Sequence, residues 1–384
     1  TAGDLNVQAP ELNNRQGLLE STGHALTLTA DRLDNQQGTV QLSGAGQMAI
    51  TAQQLDGAQG ELLSAGKLNV QGQAMNLDGA TTQAQQVALK AQSLSHRGGI
   101  MQQQGGEAMT LDVAAGLNNH LGRLESNGDL QLHAGALDNS AGTLLAAGAA
   151  SQRLNVAGAL DNSDGNILAA RAVALEAQTL QNQRGHLAAT GGDMTLQIAD
   201  ELGNQGGRIE AQDALTSQSG AFNNDGGTLL GDAVTLDTRQ QALSNAGGKL
   251  VADGALELNS GRFDNTGGLA QAGDALRADT HGQALVNAAT AQGGLLSGAD
   301  MRILAGEMDN RAGVIAAQGQ ADIQGGTLAN NGGRVVADGD VTLATQALDN
   351  TGGTLQSAHR LAVDTHQQTL NNGDRGALIA TDAL

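Results

Sequence analysis

Eight histidines are the residues of this sequence that could most readily bind a transition metal. They are His24, His96, His120, His133, His186, His281, His359 and His366. Measured against the repeat described below, they fall at different phases, so stacking of the chain would not gather them into one ligand cluster. Cysteine is absent, which removes thiolate ligands as well. We therefore predict no metal site and no cofactor, and we expect the histidines at exposed polar positions.

Paired carboxylates could supply the acid and the base of glycoside hydrolysis, and Asp338 with Asp340 is one such pair. However, the chain contains 39 acidic and 19 basic residues, with a formal net charge of −20. Acidic pairs are therefore expected by chance. We predict no catalytic residue, no cofactor-binding residue and no enzymatic activity. A carbohydrate-active β-helix enzyme is the alternative from a different functional class.

The same charge balance limits the partners of the chain. An acidic protein has no basic patch that could displace counterions from nucleic acid, so we expect no nucleic-acid partner. No apolar run reaches the roughly 18 residues that a membrane-spanning helix requires. We therefore expect no membrane insertion of this segment.

A repeat organises all of these residues along the chain. The motif Leu-Asp-Asn-x-x-Gly-x-Leu occurs in clean form at residues 137–144 and 348–355. Its first residue, called the anchor here, is Leu12, Leu33, Leu55, Leu77, Leu94, Leu117, Leu137, Leu160, Leu180, Leu202, Phe222, Leu243, Phe263, Leu285, Met308, Leu328, Leu348 or Leu370. These 18 anchors span 358 residues in 17 intervals, a mean near 21. A fixed short period indicates a stack of small units.

Two columns accompany the anchor. Asparagine stands two positions after it in 15 of 18 copies, the exceptions being Gly57, Gly79 and His96. Glycine stands five positions after it in 15 of 18 copies, the exceptions being Thr82, Thr290 and Arg375. We expect the glycine to supply a positive φ in a turn. We expect the asparagines to hydrogen-bond from one repeat to the next as a ladder.

Each repeat also contains short segments with period-two alternation, such as Val173-x-Leu175 and Leu256-x-Leu258. That period is typical of β-strands. We predict about three short strands per repeat, coiled into an all-β, right-handed parallel β-helix, or β-solenoid, of about 18 rungs with about 21 residues each. Successive rungs lie about 4.8 Å apart, so the stack would be roughly 85 Å long.

Two departures from regularity stand out, together with one further column of the repeat. Polar insertions precede the anchor at 238–241, 280–283 and 365–368, and we expect them on one edge of the stack, either as tolerated longer turns or as a stripe that faces a receptor. The rung Leu77–Leu94 is short and lacks the asparagine and glycine of the motif, the rung Leu285–Met308 lacks the glycine, and we expect locally irregular coils in both. An aspartate column follows the anchor directly, and we expect it to be a solvent-exposed corner rather than an ion site: Asp34, Asp56, Asp78, Asp138, Asp161, Asp264, Asp309 and Asp349.

The full pattern, Leu-Asp-Asn-x-Gly-Gly-x-Leu-x-Ala-x-Gly-x-Leu-x-Leu, resembles the haemagglutinin repeats of filamentous haemagglutinins, over residues 12–384. Similar repeats form the shafts of CdiA-type contact-dependent growth-inhibition effectors. The resemblance implies a large Gram-negative exoprotein that is secreted or displayed on the cell surface by two-partner secretion through an outer-membrane transporter.

We therefore expect residues 1–384 to form a single continuous β-helix shaft, an internal fragment of a larger adhesin or haemagglutinin. It would present a distal binding or effector module to a receptor on a host cell or on a neighbouring bacterium. The shaft of a growth-inhibition toxin is the alternative within the same class. We also expect end-to-end association of the fragment, because a cut solenoid exposes unpaired rung edges.

Overall fold

A computed structural model describes residues 3–289 and 293–383 of the protein. The chain is an all-β parallel β-solenoid of about 18 turns, with about 21 residues per turn, which confirms the predicted fold class. It divides into two compact units, residues 1–193 (unit 1) and residues 194–384 (unit 2). The described residues contain no helix long and apolar enough to span a membrane. The right-handed sense of the coil stays a prediction.

Unit 1 has two strands per turn. One long strand of 9 or 10 residues is followed by one short strand of 4 residues. In chain order these strands are β1 (Leu5–Asn13), β2 (Leu18–Ser21), β3 (Ala25–Asp34), β4 (Thr39–Leu42), β5 (Gln47–Asp56), β6 (Glu61–Ser64), β7 (Lys67–Asn76), β8 (Thr81–Ala84), β9 (Gln86–Ser95), β10 (Ile100–Gln103), β11 (Met109–Asn118), β12 (Arg123–Ser126), β13 (Leu130–Asp138), β14 (Thr143–Ala146), β15 (Gln152–Asp161), β16 (Asn166–Ala169), β17 (Val173–Gln181) and β18 (His186–Ala189).

Unit 2 mostly uses three strands per turn. They are β19 (Met194–Ile198), β20 (Leu202–Gly203), β21 (Arg208–Ala211), β22 (Ala214–Gln218), β23 (Phe222–Asn223), β24 (Thr228–Gly231), β25 (Ala233–Asp237), β26 (Leu243–Ser244), β27 (Lys249–Ala252), β28 (Leu256–Asn259), β29 (Phe263–Asp264), β30 (Leu269–Ala272), β31 (Leu276–Asp279), β32 (Leu285–Val286), β33 (Gly294–Ser297), β34 (Met301–Ala305), β35 (Met308–Asp309), β36 (Val314–Ala317), β37 (Ala321–Gly325), β38 (Thr327–Ala329), β39 (Arg334–Ala337), β40 (Val341–Ala344), β41 (Ala347–Asp349), β42 (Thr354–Ser357), β43 (Leu361–Asp364), β44 (Leu370–Asn371) and β45 (Ala377–Ala380).

Parallel pairing places equivalent residues of successive turns on top of one another. In unit 1, β1 pairs with β3 and β3 pairs with β5, which stacks Leu26 on Met48 and Leu33 on Leu55. Alternation within each strand sends one set of side chains inward; Leu26 and Leu28 are at most 1% exposed. Burying one such side chain contributes about 1.5–3 kcal/mol. The core of the unit is therefore a set of aliphatic columns, in which successive turns hold one another in place.

The three-strand expectation is correct for unit 2 but wrong for unit 1. In unit 1 the alternating segment and the anchor segment merge into one bent strand, with two consecutive exposed residues, such as Asp31 and Arg32, at the bend. Several of these bends carry a register shift, as between Val113 and Gly116. In unit 2 a corner segment interrupts the same stretch, so the anchor strands shrink to two or three residues, as at Leu243–Ser244.

The anchor assigned to the fourth turn is also wrong. Strand register places Met75, not Leu77, between Leu55 and Leu94 in the anchor column. The intervals on either side of Met75 are then near the mean, and β8 and β9 are regular strands. The irregular coil expected after Leu77 is therefore not found. In the other turn expected to be irregular, Thr290 lies outside the described residues.

Candidate functional site

The column two residues after the anchor forms a buried ladder, called the asparagine ladder here. With Met75 as the fourth anchor, its members in unit 1 are Asn14, Asn35, Gly57, Leu77, His96, Asn119, Asn139, Asn162 and Asn182. In unit 2 they are Asn204, Asn224, Asn245, Asn265, Asn287, Asn310, Asn330, Asn350 and Asn372. Most of the asparagines are at most 1% exposed, so these polar side chains lie inside the solenoid.

Most ladder amides are bonded both within their own turn and to the next one, as Asn139 illustrates. Asn139 Nδ2 donates to Asn162 Oδ1 at 2.7 Å, and also approaches the carbonyl oxygens of Gly142 at 3.4 Å and Asn166 at 3.2 Å. Its own Oδ1 accepts from Asn119 Nδ2 at 2.7 Å. Because buried amides are costly unless bonded, this geometry accounts for the asparagine column and confirms the predicted ladder.

Every turn has a residue with positive φ four positions after the anchor. This residue is glycine in eight turns and another amino acid in ten, for example Gln16 at 55° and Leu121 at 57°. The glycine five positions after the anchor does not carry the positive φ, so the role predicted for it is wrong. The N–H of that glycine closes the turn on the ladder residue's carbonyl, as from Gly142 to Asn139 at 2.9 Å.

Close approach is what requires this glycine. A Cβ on Gly142 would lie 2.7 Å from Asn139 Oδ1 and closer still to the backbone oxygen of Asn119. The glycine is therefore the steric counterpart of the ladder amide. Where the ladder residue is Leu77, the corresponding position is Ala80, a buried alanine. In the last turn an inserted residue moves the role to Gly376, where a Cβ would lie 2.5 Å from Asn372 Oδ1.

The ladder is interrupted in three successive turns of unit 1, by Gly57, Leu77 and His96. A Cβ on Gly57 would lie 3.0 Å from a methyl carbon of Leu77, so the glycine leaves room for the leucine. Above the break, Asn35 Nδ2 is still bonded to the carbonyls of Gly38 at 3.1 Å and Glu61 at 3.3 Å. Gly57 and Leu77 thus replace two ladder amides, and the Asn35 amide still has hydrogen-bond acceptors.

His96 closes the break from the other side. It is fully buried, and its Nδ1 lies 2.8 Å from Asn119 Oδ1. An amide oxygen accepts only, so Nδ1 carries the proton and donates. Nε2 is buried without a hydrogen-bond partner among the described residues. Burial lowers the pKa of His96 from its ordinary value of 6.5, against smaller raising effects of the Asn119 hydrogen bond and the Asp78 carboxylate.

The exposed position expected for His96 is therefore wrong. Its membership of the asparagine column was the sequence signal that could have identified it, because every residue of that column points inward. The other seven histidines are exposed or half-buried. Within the described residues, no group of three or more His, Asp or Glu side chains is arranged to hold a metal ion.

The aspartate column caps turns. Its members are half-buried, and each accepts the backbone N–H two residues further on at 2.8–3.3 Å: Asp34, Asp56, Asp138, Asp161, Asp264, Asp309 and Asp349. A side-chain hydrogen bond from Arg311 lowers the pKa of Asp309. Asp78 does not belong to the column, since Asn76 faces Asp56 in the register.

One carboxylate of the acidic pair considered for hydrolysis, Asp340, accepts a backbone hydrogen bond. Asp340 Oδ1 accepts the N–H of Arg360 in the next turn at 3.1 Å. Asp129 does the same for Ser151 at 2.9 Å. These carboxylates cap the start of the following strand. Asp338, the other member of the pair, is exposed.

The three polar insertions of unit 2 share one conformation. In each, the second and third residues have positive φ, as in a type I′ turn, for example Arg239 at 51° and Gln240 at 61°. The buried Thr238 hydroxyl donates to the carbonyl of Gln241 at 2.6 Å. Gln283 Nε2 reaches the carbonyl of Gln240 at 3.4 Å across the intervening turn. The first two insertions, 238–241 and 280–283, therefore lie on the same edge, as predicted.

Unit 1 carries an open groove of about 580 Å³ along the bends of its long strands. Small residues such as Ala52 and Gly72 form part of the lining, together with polar side chains that include Gln53, Gln71 and Gln73. The lining contains no aromatic ring. Aromatic platforms are the feature that sugar-cleaving grooves usually use.

Comparison with known proteins identifies the repeat. No curated protein and no solved structure matches the chain. The Haemagglutinin repeat, by contrast, matches in eight successive copies, at residues 1–72, 38–103, 110–164, 151–206, 195–247, 233–289, 279–345 and 316–384. Such repeats are generally structural rather than catalytic, and proteins that contain them are secreted or surface exoproteins. The chain therefore belongs to the filamentous haemagglutinin repeat family across its whole length.

Proposed function

We propose that this solenoid is the shaft of a secreted or surface-displayed Gram-negative adhesin, and that it holds a distal module away from the cell. The observation that carries the proposal is the ladder together with the parallel register: within each unit, successive turns are bonded to one another. Turns can then be added without redesigning a core, and the length of the stack scales with their number.

Export fits the same construction. A rung that needs only its predecessor as a template can fold as it emerges, and the absence of cysteine means that no disulfide must form on the way. We infer that the parent protein reaches the surface by two-partner secretion, through an outer-membrane transporter. Support for this step is the family association of the repeats.

The test is an in-phase deletion in the parent protein. Removing residues 246–330 excises four turns and joins Asn245 to Asn331, which preserves the phase of the ladder. The distance between the outer membrane and the distal end, measured by electron cryotomography, should shorten by about 19 Å, at about 4.8 Å per turn. Attachment by the distal module should persist, because a shaft contributes reach rather than a binding site.

A deletion that ends five residues later, at 335, provides the control. It joins the ladder out of phase, and the resulting mismatch of inward and outward side chains should reduce surface display. If the in-phase variant were displayed and folded but lost attachment, the removed turns would contain a binding site, and the proposal of a passive shaft would be wrong.

A further inference from the structure

The break in the asparagine ladder leaves one polar atom unsatisfied, and that atom titrates. His96 Nδ1–H is bonded to Asn119, while Nε2 is buried without a partner among the described residues. A Cβ built on Gly99 would lie 2.8 Å from Nε2. In the regular turns, the corresponding glycine Cβ approaches the ladder Oδ1 in the same way. Nε2 therefore takes the place of an Oδ1. In a regular turn, that acceptor would receive a hydrogen bond from the Nδ2 of the preceding ladder residue.

The preceding ladder residue is Leu77, which cannot donate. A neutral imidazole tolerates this environment, because a lone pair without a donor loses only one hydrogen bond. An imidazolium does not, because Nε2 then carries a second N–H and a positive charge, and no acceptor among the described residues lies within hydrogen-bonding distance of it. The same substitution that makes the break apolar therefore makes it intolerant of protonation.

Charged groups on the neighbouring turns do not remove this penalty. The titratable side chains within four residues of the ladder position on these turns are Asp78 on the preceding turn, Arg97 beside His96, and His120 and Arg123 on the following turn. The Asp78 carboxylate favours the protonated form of His96. Its Oδ1, however, already accepts Ser95 Oγ at 2.6 Å and the Arg97 N–H at 2.8 Å. The cationic side chain of Arg97 would only oppose a second positive charge.

We propose that the turn containing His96 is an acid-sensitive weak point of unit 1, at which the stacked turns separate first when His96 is protonated. The sign follows from linkage: the pKa of His96 is lowered in the folded state, so the open state binds the proton more readily. The stability of this turn is complete above the open-state pKa of 6.5. It is lost as the pH falls below that value and toward the folded-state pKa.

Hydrogen exchange measured by mass spectrometry, corrected for intrinsic exchange rates, tests the proposal. Between pH 7.5 and pH 5.0, local opening around residues 75–103 should increase up to about 30-fold, the factor expected when a group of pKa about 6.5 titrates only in the open state. Residues 224–268 contain an unbroken stretch of ladder and should show no comparable change. Equal behaviour of the two regions would overturn the proposal.

The variant His96→Asn should abolish the acid sensitivity, because asparagine restores the usual donor to Asn119 and does not titrate. His133→Asn is the matched control, since His133 is exposed on a strand, and it should retain the wild-type response. An acid response that survives in His96→Asn would contradict the assignment to His96. If that variant does not fold, nitrogen NMR of labelled histidines in the wild type decides. The His96 ring should titrate below the ordinary value of 6.5; a His96 that titrates at or above that value would reject the idea.

Discussion

Replacing one ladder amide in the middle of an unbroken stretch should cost more than any single surface contact. Asn139→Ala removes the donor to Asn162 Oδ1 and the acceptor of Asn119 Nδ2, both at 2.7 Å. Asn162 Oδ1 would then be buried without its donor, at about 1–3 kcal/mol. Asn119 Nδ2 would lose its best acceptor, at about 0.5–1.5 kcal/mol. With the small cavity added, we expect about 3 kcal/mol of destabilisation.

Asn155→Ala provides the comparison in the same unit. Asn155 is exposed, and its amide donates to Glu176 at 3.1 Å, so this change should stay within about 0.5 kcal/mol. Urea unfolding would give both free energies, and hydrogen exchange would locate the Asn139 effect in the turns on either side. If Asn139→Ala cost less than about 1 kcal/mol, or destabilised distant turns as much as adjacent ones, the ladder would not be the local bonding element inferred here.

Three further changes separate the roles of neighbouring residues. Gly142→Ala should destabilise the protein by more than about 2 kcal/mol, because the new Cβ would collide with ladder atoms. Ala141→Gly should be neutral or stabilising by up to about 1 kcal/mol, since Ala141 has a φ of 52°. Thermal unfolding of both variants measures these effects, and an Ala141→Gly variant less stable than Gly142→Ala would contradict them. Thr238→Val should cost about 1 kcal/mol through the lost hydroxyl bond within its turn, and an unchanged unfolding free energy would show that the bond is dispensable. Arg311→Ala should raise the pKa of Asp309 toward its ordinary value, because Arg311 supplies the largest lowering effect; NMR titration would detect a pKa that does not move.

Periodicity made most of the fold predictable. In a stacked repeat, each residue lies beside the residues that occupy the same repeat position in the adjacent turns. The anchor, asparagine and strand positions could therefore be assigned without knowledge of long-range contacts. The error at Leu77 arose because Leu77-Asp78-Gly79 copies the local pattern Leu55-Asp56-Gly57. Intervals of 22 and 17 residues around Leu77, against 20 and 19 around Met75, were the signal that could have corrected it. Register in a parallel sheet follows the mean period over several turns more closely than a local match.

The role of the glycine column could not be predicted from residue type. Positive φ is the usual reason for a recurrent glycine, but here the strained position is the one before it, and it accepts Gln, Ala, Arg and even Leu. A single residue with left-handed geometry costs roughly 1–2 kcal/mol, and the turn's hydrogen bonds to both neighbouring turns can offset that. A methyl group inside the ladder has no such compensation. Backbone strain is therefore tolerated at the fourth position after the anchor in ten turns. Glycine is required at the fifth position because a Cβ there would overlap with ladder atoms.

The direction of the hydrogen bonds in the ladder explains why an asparagine can end the run before the break and why a donor such as histidine must begin the run after it. Each amide–amide hydrogen bond of the ladder among the described residues runs from Nδ2 to the Oδ1 of the following turn, as from Asn119 to Asn139, so the dipoles align and each bond polarises the next. A run can end on a donor without loss when backbone carbonyls take over, as for Asn35 at the carbonyls of Gly38 and Glu61. It can begin on an acceptor only if another donor is supplied. His96 provides that donor to Asn119 through Nδ1, and the second nitrogen of the imidazole then stays buried without a hydrogen-bond partner among the described residues. The unsatisfied atom is thus a consequence of restarting an oriented chain of amides with a ring that has two nitrogens.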